Sequence, residues 1–210
     1  GKLEGAVKVI DAAILPVQRR TLAPLALALH RLGVTADQTT VTGFLIGLLA
    51  IPALAAEWYL LALLLICANR LADGLDGEIA RLTRPTDRGA FLDIALDFVF
   101  YALVPLGFAF ADPQANALPA AVLVAAFVGT GSSFLAFSVI AAKRGLPAAR
   151  YPSKGIFYLG GLTEGFETIV FFAAICLWPG SFPVLAGIFA AACAITTLTR
   201  WLQGWRAFSD

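Results

Sequence analysis

Charged residues are scarce in this sequence: only 14% of its 210 residues are Asp, Glu, Lys or Arg, whereas 60% are hydrophobic. Because soluble domains are usually about 25% charged, this composition excludes an ordinary soluble globular protein. Histidine occurs once, and the three cysteines, Cys67, Cys176 and Cys193, form no Cys-x2-Cys pair. The sequence therefore predicts an integral membrane protein with neither a disulfide framework nor a zinc site.

The basic residues fall in particular connections between apolar stretches. These stretches predict six membrane-spanning helices, at about residues 39–56, 58–80, 90–111, 117–142, 155–178 and 183–203. Lys and Arg precede the first span, flank the second and fourth connections, and follow the sixth span. Because cytoplasmic loops collect Lys and Arg, we expect both termini on the cytoplasmic side of a bacterial inner membrane. The net charge of +1 without a basic stripe excludes nucleic acid as an expected partner.

Four aspartates interrupt the apolar background. Asp73 and Asp76 are three residues apart, and Asp93 and Asp97 are four apart, so each pair falls on one face of a helix. A carboxylate at membrane depth costs about 2.5 to 3.5 kcal/mol on insertion scales, so the cluster requires compensating cations. Carboxylate oxygens suit Mg²⁺ or Mn²⁺, and four of them favour two ions, as in two-metal phosphoryl-transfer sites. We therefore predict a metal-dependent catalytic site facing the cytoplasm.

Small and basic residues complete a pattern around the aspartates. Gly77 and Gly89 would let a nucleotide or diphosphate approach the helix backbone closely, Ala80 keeps the same face narrow, and Arg81 can donate hydrogen bonds to a phosphate. The full spacing is Asp73-x2-Asp76-Gly77-x2-Ala80-Arg81-x7-Gly89-x3-Asp93-x3-Asp97. It resembles the complete signature of the CDP-alcohol phosphotransferases, integral membrane enzymes of phospholipid synthesis.

The resemblance implies a reaction in which an alcohol hydroxyl displaces CMP from a CDP-linked substrate. It implies that Asp73, Asp76, Asp93 and Asp97 ligate two Mg²⁺ or Mn²⁺ ions, and that Asp97 also takes the proton of the hydroxyl. It further implies a nucleotide pocket lined by Asp73, Gly77, Ala80, Arg81 and Gly89. The expected partners are a CDP-linked lipid, most simply CDP-diacylglycerol, a small polar alcohol, membrane lipids and a second copy of the chain in a homodimer. The reverse arrangement, in which a soluble CDP-alcohol is the donor and diacylglycerol is the acceptor, stays open.

The acceptor alcohol is not identified by the sequence. Glu164 and Glu167 lie within the fifth predicted span, where they could bind a polyhydroxy or cationic alcohol or form a structural pair. Arg150 and Lys154, in the loop before that span, could bind a phosphorylated acceptor, although cytoplasmic topology alone also explains them.

The segment before the first span has its own character. Residues 1–36 place apolar residues at helical spacing with basic residues between them, which predicts an amphipathic helix on the membrane surface. This helix would precede a six-helix catalytic domain of residues 37–210 and could be a surface anchor or a lid over the site. Thr35 or Asp37 is expected to cap the first span, while a substrate role for Thr40 stays open.

Two other functions could use aspartates within a membrane. An aspartate-rich, Mg²⁺-dependent membrane prenyltransferase also binds diphosphates, but the Gly-x2-Ala-Arg spacing and the Asp93/Asp97 pair argue against it. A cation transporter would need a polar route to the outer face, and the outer halves of these predicted helices carry almost no charge. CMP release would distinguish phosphotransfer from both.

Overall fold

The computed structural model describes residues 21–145 and 165–209, and these residues form helices without any strand. This agrees with the predicted all-helical fold. The helices are α1 (residues 21–31), α2 (Ala36–Leu48), α3 (Ala50–Ala55), α4 (Tyr59–Leu82), α5 (Asp87–Ala111), α6 (Pro113–Lys143), α7 (Gly165–Leu177) and α8 (Phe182–Ala207), with a 3-10 turn at Pro179–Ser181 before α8.

Helices α2 and α3 together form the first predicted span, with one irregular turn at Leu49. Helix α2 begins at Ala36 because Thr35 caps it: Thr35 Oγ1 accepts a hydrogen bond from Gln38 N at 3.2 Å, and Gln38 Oε1 accepts one from Thr35 N at 3.0 Å. This reciprocal arrangement satisfies two backbone donors that the first helical turn leaves without partners. The expectation that Thr35 caps the first span is confirmed, and Asp37 is left for another contact.

Two glycines one helical turn apart let α2 pack closely against α4 and α5. A Cβ atom on Gly43 would overlap Ala72 of α4, and one on Gly47 would lie 2.8 Å from the Phe100 ring of α5. Small residues four apart commonly permit such close approach between helices in membranes. The packing sets α2 against the segments of α4 and α5 that carry the aspartates.

Aromatic side chains fill the opposite end of the bundle. The rings of Phe108 and Phe182 stack with centroids 4.5 Å apart, and Tyr59 stacks on the other side of Phe108 at 5.7 Å. Closer to the aspartates, Phe100 meets Phe172 edge to face at 6.3 Å. Offset and edge-to-face rings of this kind contribute beyond the apolar area that they bury, so this cluster ties α4, α5, α7 and α8 together.

Four helical segments are long and apolar enough to cross a membrane: Ala36–Ala55, Asp87–Ala111, Pro113–Lys143 and Pro179–Ala207. Helix α4 has 24 residues, but its second half carries the charged residues of the motif. The described part of the fifth predicted span is the 13-residue helix α7, because residues 155–164 lie outside the described residues. The structure thus supports a membrane protein with at least four apolar spans.

The predicted N-terminal helix lies mostly outside the described residues, which begin at residue 21. Its described end, α1, buries Leu22 and Ala26 in a small cluster with Leu75 and Ile79 of α4. Helix α1 therefore packs on the helix that carries Asp73 and Asp76, beside the predicted site.

Candidate functional site

Three of the four predicted aspartates meet between α4 and α5. Carboxylate oxygens of Asp73, Asp76 and Asp93 all lie within 4.8 Å of one another, with Asp76 buried and the other two partly exposed. The connection from α4 to α5 is only residues 83–86, so the end of α4 and the start of α5 stay close. Three convergent carboxylates are a donor set that fits a hard divalent cation such as Mg²⁺ or Mn²⁺.

Asp97 lies one turn after Asp93 on α5 and accepts hydrogen bonds from an arginine of α4. Arg70 donates two hydrogen bonds to its carboxylate, from Nη2 to Oδ1 at 2.6 Å and from Nη1 to Oδ2 at 3.2 Å. Arg70 Nη1 also lies 3.7 Å from Asp73 Oδ2. The structure therefore joins Asp97 to the aspartate cluster through Arg70, a residue that the sequence analysis did not place in the site.

Arg70 is held on several sides. Its Nε donates to Asn69 Oδ1 at 2.8 Å, its Nη1 donates to the Tyr101 hydroxyl at 2.9 Å, and its guanidinium lies 5.2 Å and 5.1 Å from the ring centroids of Phe100 and Tyr101. Only 8% of the Arg70 side chain is exposed. A planar guanidinium between rings and paired with a carboxylate has little freedom to move.

Thr40 of α2 contacts the most buried aspartate. Thr40 Oγ1 lies 2.5 Å from Asp76 Oδ2 and 3.0 Å from the carbonyl oxygen of Ala36. A hydroxyl has one proton to donate, and the shorter distance to a charged acceptor favours Asp76. The contact gives Thr40 a place in the site, orienting the Asp76 carboxylate.

The glycines of the motif lie toward the ends of α4 and α5. A Cβ atom on Gly77 would lie 3.6 Å from Arg81 Nη2, and Arg81 itself pairs with Glu78. A Cβ atom on Gly89 would lie 3.2 Å from both Asp37 Oδ1 and Thr86 Oγ1, tighter than most real Cβ contacts. Gly89 therefore occupies a crowded first turn of α5, where Thr86 caps the helix.

An ion pair joins α2 and α5 beside Gly89. Arg88 Nε donates to Asp37 Oδ2 at 2.7 Å. Asp37 is thus used between helices, while Thr35 performs the capping. The remaining nucleotide-pocket candidate, Ala80, is partly buried one turn after Asp76.

The predicted acceptor residues are only partly covered by the structure. Glu167 lies in the first turn of α7 and is partly buried, whereas Arg150, Lys154 and Glu164 lie outside the described residues. Helix α7 packs against α4, the helix that carries the first two aspartates.

A second buried arginine lies on α8. Arg200 Nη1 donates to the Thr130 carbonyl oxygen of α6 at 3.0 Å, and the guanidinium lies 5.7 Å from the Phe134 ring centroid. The next residue of α6, Gly131, packs against Phe98, where a Cβ atom would lie 2.7 Å from the ring. Because Phe98 follows Asp97, these contacts place Arg200 near the level of Asp97 in the bundle. The sequence analysis gave Arg200 no role in the site.

Comparison with known proteins begins with a family model, that of the CDP-alcohol phosphatidyltransferases, which matches residues 34–200. The chain is 50% identical over 196 residues to the inner membrane protein YnjF of Escherichia coli, covering 93% of this chain and 95% of that protein. It is also 37% identical over 93 residues to the archaetidylinositol phosphate synthase of Methanothermobacter thermautotrophicus, 44% of this chain and 46% of that protein.

Solved structures share the fold. The phosphatidylinositol phosphate synthase PgsA1 of Mycobacterium tuberculosis, solved with CDP-DAG bound, superimposes with a TM-score of 0.67 at 24% identity, covering 89% of this chain and 94% of that one. The same enzyme in complex with manganese and citrate gives a TM-score of 0.70 at 22% identity, with 88% of each chain covered. At such low identity the likeness establishes the helical architecture alone.

Proposed function

Because the chain belongs to the CDP-alcohol phosphatidyltransferase family, we propose a specific reaction for it: transfer of a phosphatidyl group from a CDP-linked lipid to an alcohol hydroxyl, with release of CMP. The observation that carries the proposal is the convergence of Asp73, Asp76 and Asp93 within the family's motif. The chain is an enzyme of the phosphotransferase class. Its membrane location suits a lipid substrate, and its aspartates suit the metal ions that such a transfer requires.

The donor set fits the divalent metals of this family. We assign Asp73, Asp76, Asp93 and Asp97 to two ions, Mg²⁺ or Mn²⁺, because carboxylate oxygens are the ligands these ions prefer. When bound, such ions neutralise charge on a diphosphate and align the attacking and leaving oxygens. Thr40 holds the Asp76 carboxylate in its orientation, a supporting contact of the kind on which metal affinity depends.

The protein residues divide the remaining tasks. The acceptor oxygen bonds to the phosphorus that carries the lipid, the bond from that phosphorus to the CMP oxygen breaks, and the hydroxyl proton passes to Asp97. Arg70 uses one lone pair on each Asp97 oxygen, which leaves further lone pairs for a proton or a metal. Asp73, Gly77, Ala80, Arg81 and Gly89 form the proposed pocket for cytidine and diphosphate.

We propose CDP-diacylglycerol as the donor and a phosphorylated alcohol as the acceptor. Support comes from two relatives, a phosphatidylinositol phosphate synthase solved with CDP-DAG and an archaetidylinositol phosphate synthase. It also comes from Arg200, a buried cation near the level of Asp97 whose guanidinium suits an anionic oxygen. Arg150 and Lys154 are further candidates for the acceptor phosphate, and Glu164 and Glu167 for its hydroxyl groups.

The membrane arrangement that we propose has six spans, cytoplasmic termini, a cytoplasmic site and a homodimeric assembly. Exposed tryptophans support the placement of these helices across a membrane: Trp58 and Trp178 lie at one end of their helices, and Trp201 and Trp205 lie at the far end of α8. Tryptophan is enriched at membrane interfaces. From the start of α8 to Trp201 the helix rises about 28 Å at 1.5 Å per residue, close to the thickness of the hydrocarbon core.

The family match favours phosphotransfer over prenyl transfer and cation transport. It covers residues 34–200, and the Gly-x2-Ala-Arg and Asp93/Asp97 positions lie within that range. Neither alternative explains those positions.

The proposal is tested by CMP release from CDP-diacylglycerol by the purified protein with Mn²⁺ or Mg²⁺. The acceptors compared are inositol phosphate, glycerol phosphate, inositol, glycerol and serine, so that phosphorylated and unphosphorylated partners are matched. We expect stimulation by a phosphorylated alcohol above its unphosphorylated counterpart. Stimulation by serine or inositol alone would reject a phosphorylated alcohol as the acceptor. The reaction itself would be rejected if no acceptor stimulates CMP release and if CDP-choline and CDP-ethanolamine with diacylglycerol also give none.

A further inference from the structure

A buried cation, Arg70, lies outside the family motif yet contacts two of its carboxylates, on Asp97 and Asp73. We propose that Arg70 is a positioning residue, which fixes the Asp97 carboxylate toward the acceptor hydroxyl from a position where it also contacts Asp73. This inference rests on the proposed function, because it assigns a role to Arg70 in that reaction.

The geometry of the pair specifies one orientation of the carboxylate. The two bonds, 2.6 Å and 3.2 Å, run from separate nitrogens of one planar group to the two oxygens of Asp97. A fork of this kind fixes the plane of the carboxylate as well as its distance. The oxygen edges that Arg70 does not use are therefore presented in a constant direction.

Arg70 is itself immobilised by groups that do not belong to the motif. Asn69 accepts from Arg70 Nε at 2.8 Å, and its own amide nitrogen donates to the Gly43 carbonyl oxygen at 2.9 Å. The rings of Phe100 and Tyr101 flank the guanidinium, and the Tyr101 hydroxyl accepts a further bond at 2.9 Å. Through Arg70 and Asn69, the position of Asp97 therefore depends on the backbone of Gly43 in α2.

The charge of Arg70 also affects the neighbouring carboxylates. Its Nη1 lies 3.7 Å from Asp73, a member of the group of three. A cation at this distance opposes the binding of a further cation. Removal of the charge should therefore strengthen metal binding while it disrupts turnover, and a residue with a purely structural role would not produce opposite changes.

Substitutions at Arg70 separate charge from geometry. In Arg70→Lys the charge stays but the fork is lost, because an ammonium group cannot make two parallel bonds to one carboxylate. We expect kcat to fall by about 10-fold to 100-fold through misplacement of Asp97, with Mn²⁺ affinity close to that of the wild type. In Arg70→Gln the charge and the two-pronged hydrogen bonding are both lost, so we expect kcat to fall and Mn²⁺ to bind about tenfold more tightly. Tyr101→Phe, which removes one acceptor, should lower kcat less.

The measurements are CMP release and Mn²⁺ binding by electron paramagnetic resonance, on protein that elutes as the wild type does in detergent. Arg206→Gln, the same change at an exposed position near the end of α8, is the control and should alter neither quantity. Wild-type kcat in Arg70→Lys, or unchanged or weaker Mn²⁺ binding in folded Arg70→Gln, would overturn the role of Arg70. If Arg70→Gln does not fold, Arg70→Lys and Tyr101→Phe decide the question. A wild type that releases no CMP would instead overturn the proposed function.

Discussion

The two ends of the helix bundle are held together by different forces. At the motif end, α2, α4 and α5 meet through ion pairs and hydrogen bonds, such as Arg70 with Asp97 and Thr40 with Asp76. At the opposite end, α4, α5 and α8 meet through aromatic rings, with Phe108 stacked between Tyr59 and Phe182. The comparison indicates that packing anchors the helices while polar contacts orient the reactive groups.

Glycine serves both ends in the same way. Gly43 and Gly47 bring α2 against α4 and α5 near the aspartates, and Gly107 brings α5 against Leu54 of α3 at the other end. In a bilayer, lipid tails compete equally for apolar side chains, so close van der Waals packing at small residues is a main source of helix association. We expect substitutions of the polar groups at the motif end to change activity, and substitutions in the packing at the other end to change stability.

Asp97→Asn should produce the largest change, at the motif end. The substitution removes the proposed proton acceptor with little change in volume, so we expect CMP release to fall by about 10²-fold to 10⁴-fold while the protein stays folded. The control is Asp112→Asn, because Asp112 caps α6 through Ala115 N and asparagine caps about equally well. Full turnover in Asp97→Asn would exclude Asp97 as the base.

Thr40→Val should have an intermediate effect at the same end. Valine keeps the shape of threonine but cannot donate to Asp76, so the carboxylate loses a contact that orients it. We expect a loss of about 10-fold to 100-fold in Mn²⁺ affinity or activity, as for other residues that support metal ligands. Thr42→Val, at an exposed position on α2, is the matched control. Equal behaviour of the two variants would exclude Thr40 from the site.

Gly107→Ala should have the smallest effect on activity and act instead on stability. The added Cβ atom would lie 2.8 Å from Leu54 Cβ and Cδ1, which forces α3 and α5 apart. We expect a loss of about 1 to 3 kcal/mol in the free energy of unfolding, measured by thermal denaturation in detergent. Turnover per folded molecule should persist. Gly187→Ala on α8, with nothing within 4 Å, is the control, and equal stability of the two would contradict the packing account.

The sequence predicts the helices and the group of three aspartates, but it does not predict the contacts between helices around them. The four spans that the structure supports follow from runs of apolar residues, and the convergence of Asp73, Asp76 and Asp93 follows from spacing within two helices, so both could be predicted. The contacts of Arg70 with Asp97 and of Thr40 with Asp76 join residues 27 and 36 positions apart, and no local pattern reports such pairs. A clue did exist for Arg70, because an arginine three residues before Asp73 in an apolar helix needs a partner.

The same reasoning explains why the sequence does not place Arg200 near the site. Its burial depends on the packing of α6 against α8, which the one-dimensional pattern does not show. Interhelical packing in membranes depends on where small residues face each other, and this emerges only when the helices are assembled.

The most direct test of the central claim is CMP release from CDP-diacylglycerol by purified protein stripped of metal with a chelator. With the acceptor that stimulates the native enzyme, we expect no release until Mn²⁺ or Mg²⁺ is added, and then full recovery, because Asp73, Asp76 and Asp93 converge on a site for these ions. Turnover that continues at the same rate without any divalent ion would contradict the assignment of the aspartates as a metal site.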